Sequence, residues 1–208
     1  MQALRHVSSA IDHADRLADE ADELGAPSLA DELRDRGRHL AGLLEDALAA
    51  LDRVGPAKEL RQRAHAALGG VYAEITLDLA RVLPPEEAGR LSPGGHLDVA
   101  ERARFRLRRL LAKDLALAPL AARLQAALGS YDKAVDAYLL ASAEAASAQE
   151  AAVCESQRFR LDLERAKLQL LSRAEVGSEV YQRIKRRAVR TKRARWLQAE
   201  ARELPRAA

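Results

Sequence analysis

Leu4, Val7, Ile11, Ala14, Ala18, Ala21 and Leu24 fall on one heptad-like stripe, which predicts a helix from about Ala3 to Leu24. Gly25-Ala26-Pro27 ends it, and Ser28 reads as the next N-cap, with Asp31 as a weak capping-box partner. A second helix carries Leu29, Leu33, Leu40, Leu44, Ala47 and Leu51 inward, up to a break at Val54-Gly55-Pro56. A third, from about Ala57 to Leu83, buries Leu60, Ala64, Leu68, Val71, Ile75 and Leu79. Gly69-Gly70 inside it predicts a close helix crossing. Pro84-Pro85-Glu86-Glu87 opens a short helical turn, and Ser92-Pro93-Gly94-Gly95 reads as a linker. A fourth helix runs from about Leu97 to Leu128, with Leu107, Leu111, Ala118 and Leu128 inward and a kink at Pro119.

The longest stretch free of proline and glycine is Tyr131 to Val176, bounded by Gly129-Ser130 and Gly177. As one helix it is roughly 70 Å long, against a usual length of about 11–12 residues. It therefore reads as a spine for other helices. Ala134, Tyr138, Ala141, Ala145, Ala148 and Ala152 make a packing seam of small residues along its first half. Phe159, Leu163, Ala166, Leu170 and Ala174 continue the same spacing with larger side chains. A tight, thin contact is expected near Ala145 and a thicker core near Leu163. After Gly177-Ser178 a last helix, about Glu179 to Glu203, folds back. The expected fold is all-α: an elongated antiparallel helix bundle with coiled-coil-like packing around the spine. The expected division is a three-helix segment over 1–92 and a long hairpin with a basic C-terminal helix over 93–208.

Composition sharpens this picture. Hydrophobic residues make up 48% but aromatics only 3%, so the core is Leu and Ala, which suits bundles and not β-sandwiches. The single cysteine, Cys154, excludes an internal disulfide and reads as a small buried or half-buried hydrophobe in a reducing compartment. The first residues lack a signal-peptide core and no apolar run has transmembrane length, so a cytoplasmic protein with no membrane contact is expected.

Chemistry-bearing motifs are scarce. None of His6, His13, His39, His65 and His96 has a glutamate three residues before it, and no Cys-x-x-Cys occurs. Asp35 and His39 are the only carboxylate–histidine pair at a spacing of four, too few for a metal. Gly-rich phosphate loops and a Gly-x-Ser-x-Gly elbow are absent. No catalytic residue, cofactor or metal is expected, and the chain reads as a non-enzyme.

Charge is segregated instead. The chain carries +3 overall, but from Ser178 onward ten Arg or Lys face three Glu, so the part before it is net acidic. Arg183, Arg186, Arg187, Arg190 and Arg193 share one side of the last helix, with Lys185, Lys192 and Arg195 flanking and Trp196 following. Asp12, Asp15, Asp19 and Asp22 share one side of the first helix. The basic face has three readings: a solvated surface, a dock for an acidic surface of this or another chain, or a contact for nucleic-acid phosphates. A second basic run, Arg102, Arg104, Arg106, Arg108, Arg109 and Lys113, spreads around helix four and makes a poorer groove.

Gly129-Ser130-Tyr131-Asp132-Lys133-Ala134, with Tyr138 and Ala141, resembles the second helix of a tetratricopeptide repeat, over about half of one repeat. The resemblance implies a turn at Gly129 that packs two antiparallel helices closely. The functional expectation is a helical scaffold, adaptor or structural subunit with a protein partner or self-association. The alternative is sequence-independent nucleic-acid binding through the basic helix.

Overall fold

Helix forms wherever the apolar heptads run, and it passes straight through two of the expected breaks. In the computed structural model, residues 2–93, 97–113 and 117–186 are described. They form α1 (Gln2–Glu23), α2 (Pro27–Val82), α3 (Pro85–Arg90), α4 (Val99–Leu111), α5 (Ala118–Arg173) and α6 (Glu179–Arg186). No strand occurs among the described residues. The fold is an all-α helical bundle in which the long helices α2 and α5 pack against each other.

The helix ends follow local chemistry. At the end of α1, Gly25 takes φ 68°. Ala26 N–H then donates to Ala21 O and Gly25 N–H to Asp22 O, a Schellman closure. Helix α2 begins at Pro27, where a missing N–H costs nothing. Ser28 therefore lies inside the first turn and is not the cap expected of it. Asp98 and Glu101 form a reciprocal capping box at the start of α4. Ser178 Oγ accepts from Tyr181 N–H at 3.1 Å to open α6.

Four local expectations are corrected. Val54-Gly55-Pro56 does not separate two helices, since α2 runs 56 residues through Pro56. Apolar contact on both sides of it, at Ala47, Ala50, Leu68 and Ile75, outweighs the local cost. Gly129-Ser130 makes no turn, so neither the hairpin nor the repeat-like packing expected there forms. Helix α5 starts at Ala118, and Ser130 Oγ donates back to Ala126 O at 3.1 Å. Pro119 stands in the first turn of α5, where it is tolerated, and kinks nothing. Gly69-Gly70 marks no close crossing, because a Cβ at either position would meet nothing within 4 Å.

By compactness the chain divides into Met1–Ala47 with Ala148–Ala208, and Leu48–Ser147. In the first unit, Leu4, Val7, Ala14, Leu17 and Ala21 of α1 are buried, with Leu33 and Leu40 of α2. Phe159, Leu163 and Leu170 of α5 complete this core. Arg36 lies 5.0 Å from the Phe159 ring centroid and pairs with Asp162 and Glu155. Arg160 donates to His6 O at 3.1 Å, tying α5 to α1.

In the second unit, Leu68, Ile75 and Leu79 of α2, Ala100, Ala103 and Leu110 of α4, and Ala121, Leu124 and Leu128 of α5 form one core. The α2–α5 pairing here is antiparallel. Arg123 pairs with Glu74, His65 meets Tyr131 at 5.8 Å, Arg61 covers Tyr138 at 4.4 Å, and Arg53 pairs with Glu144 at 3.4 Å. As the α2 number falls, the α5 number rises.

Candidate interaction surface

The seam residues occupy the heptad face of α5, but unevenly. Ala134, Ala145 and Ala152 are buried, whereas Tyr138, Ala141 and Ala148 are half-buried. Phe159, Leu163, Ala166, Leu170 and Ala174 are all buried. In the second unit the pairing is thin: α2 has no fully buried residue between Ala50 and Leu68. On the same stretch Leu60, Leu139 and Leu140 are more than half exposed. Short alanine side chains leave too little apolar area to cover these leucines. Cys154 is exposed, not buried or half-buried as expected, because it falls between the inward positions Ala152 and Ser156.

The basic face meets the acidic helix at its start. Helix α6 lies against α1. Arg183 is half-buried and donates to Glu23 Oε2. Arg186 is exposed, and Arg187, Arg190 and Arg193 lie outside the described residues. On α1, Arg34 reaches across from α2 to Asp22 at 2.7 Å and Asp19 at 3.2 Å, while Asp12 and Asp15 remain exposed. Asp22 first, opposed by some desolvation, raises the Arg34 pKa.

Two groups of interior charge escape a pattern reading. In the first unit, Glu20 and Lys167 are buried and Glu164 is half-buried. Burial pushes the Glu164 carboxyl above its usual range, with Lys167 opposing. Burial likewise lowers the Lys167 ammonium, against Glu164 and Glu20. A carboxyl raised in the fold contributes stability below its unfolded pKa of about 4.3, and that contribution is lost as pH rises through the raised value. Glu164→Gln is therefore expected to gain stability relative to the parent on going from pH 4 to pH 7. Urea midpoints at the two pH values read this. A variant that instead loses ground at pH 7 means attraction to Lys167 outweighs desolvation.

In the second unit, Arg106 is 2% exposed and sits on the inward face of α4 with Ala103 and Leu110. It donates to Thr76 Oγ1, to Ser92 Oγ at 2.8 Å and to Leu91 O at 3.3 Å. Its guanidinium carbon lies 4.0 Å from the Tyr72 ring centroid. The basic run on helix four is thus largely used inside the unit. Arg104 pairs with Asp132 and Lys113 with Glu87, while Arg108 and Arg109 stay exposed. The missed signal was phase: Arg106 falls in step with the apolar positions of α4, not with its outer face.

Among the described residues no group of three His, Cys, Asp or Glu side chains is placed to hold a metal ion. No described helix is long and apolar enough to cross a membrane. No family model, no curated protein and no solved structure matches this chain.

Proposed function

We propose that the protein is a non-enzymatic helical scaffold or adaptor, or a structural subunit, that works through protein association. The observation that carries this reading is the thin α2–α5 stretch, where Leu60, Leu139 and Leu140 are left more than half exposed. Leu139 and Leu140 are neighbours on α5, and apolar groups exposed together favour a protein neighbour. Sedimentation of the full chain over a concentration series, in low and high salt, tests it. Association that survives high salt and is lost in Leu139→Ser/Leu140→Ser supports the reading. A compact monomer at every concentration, with no partner retained by cross-linking, rejects it.

The alternative, nucleic-acid binding through Arg183, Arg186, Arg187, Arg190 and Arg193, has less support because Arg183 is engaged by Glu23. Such binding would weaken with salt with a log–log slope of about 0.9 per phosphate contacted. A gel shift at low salt, abolished by Arg186→Glu, would move the balance toward it.

A further inference from the structure

Two arginines of α4 share one tyrosine and have no acid. Arg106 lies over Tyr72, and Arg102, one turn earlier, is 5.6 Å from the same ring. The carboxylates nearby on α2, α3 and α5 are committed elsewhere. Glu74 and Asp78 take Arg123, Glu87 takes Lys113, and Asp132 takes Arg104. Among the described residues neither Arg102 nor Arg106 has an ion-pair partner. Arg106 is satisfied only by neutral oxygens, and Arg102 Nε is buried with no hydrogen bond. Each cation repels the other, and burial of Arg106 adds to the cost.

Thr76 Oγ1 uses its proton on Tyr72 O at 2.7 Å. Ser92 Oγ accepts from Arg106, so its own proton remains to be donated, and Ser92 is exposed. Arg102 is half-buried. An exposed hydroxyl held by one of two guanidinium groups that lack a carboxylate is what an oxyanion requires. Two uncompensated cations match a dianion better than a carboxylate, which brings one charge.

We propose that Tyr72, Ser92, Arg102 and Arg106 form a binding site for one phosphate group. Arg102 and the Ser92 hydroxyl contact it directly. Arg106 supplies charge and holds Ser92 in place, and the Tyr72 ring lies against both guanidinium groups. The site is independent of the association surface proposed above, since Leu139 and Leu140 do not take part.

The test is thermal unfolding of the full chain in inorganic phosphate, against sodium chloride and acetate at equal ionic strength. The expected result is a saturable rise in melting temperature with phosphate only. Arg102→Gln and Ser92→Ala, both reaching the surface, are chosen so that the chain still folds. Arg102→Gln is expected to weaken half-saturation by about tenfold or more, as for loss of a charged hydrogen-bond donor. The same rise in chloride, or an undiminished phosphate response in Arg102→Gln, overturns the proposal and leaves Arg106 as an interior brace. A response to acetate equal to that to phosphate overturns the assignment to a dianion.

Discussion

Phe159→Ala is expected to destabilise the chain by about 3–5 kcal/mol. Phe159 is 1% exposed and is the largest apolar side chain among the fully buried residues. It stands in a core whose other buried members are mainly leucine and alanine. With only two phenylalanines in the sequence, the volume it fills has no ready substitute. Removal leaves a cavity between α2 and α5 next to Leu33 and Ala166. It also removes the platform on which Arg36 lies while pairing with Asp162 and Glu155. Urea unfolding followed by circular dichroism measures the loss. Leu168→Ala, on the same helix but 66% exposed, is the control and should change stability by less than about 0.5 kcal/mol. A loss below about 1 kcal/mol for Phe159→Ala would mean that the first unit repacks freely and that the seam does not set its stability.

The seam that places Phe159 was legible because it rests on period alone. From Ala121 to Leu170 the inward positions of α5 recur at spacings of three or four, and a helix is the only element that aligns them. The helix ends were less legible, because glycine and proline were read by their local preference. At Gly129 that preference is about 1 kcal/mol, while Leu124 and Leu128 are buried just before it and Ala134 just after. Packing on both sides decides such a contest, and sequence order does not display it. The same reasoning explains Pro56, whereas Ser28 loses the cap position because Pro27 already opens α2.

Buried charge was illegible for a different cause. The i, i+2 spread of arginines on α4 suggests an even coat of charge, yet Arg106 falls in register with Ala103 and Leu110. Only the partner loop, with Leu91 O and Ser92 Oγ, makes that position tolerable for a guanidinium. Glu20 and Lys167 are met across helices distant in sequence, so no spacing rule could pair them. Arg183 with Glu23 was foreseeable in kind, since a basic and an acidic helix occur in one chain, but not in which residue would engage.

Pro56→Ala is expected to stabilise the chain by about 2 kcal/mol. A proline inside a helix is about 3 kcal/mol worse than alanine, because it lacks an N–H and its ring presses on the preceding turn. Here the carbonyl of Asp52 loses the partner that position 56 would supply. Against this, alanine gives the unfolded chain more freedom, which returns about 0.4–1 kcal/mol. Pro56 is exposed, so the ring's removal forfeits little packing. Gly55→Ala should add about 0.5–1 kcal/mol more, because a Cβ there meets nothing within 4 Å. Denaturation midpoints of the two variants and of the pair measure this, and a neutral or destabilised Pro56→Ala would show that α2 gives up no helix stability at that point. Two helix breakers side by side lie in the stretch of α2 that has no fully buried residue, close in sequence to the exposed Leu60. If the paired variant is more stable yet associates less in sedimentation, the weakness of α2 at this point belongs to the proposed association. If it is more stable and associates as before, the breakers are simply tolerated, and the exposed leucines act without help from the backbone.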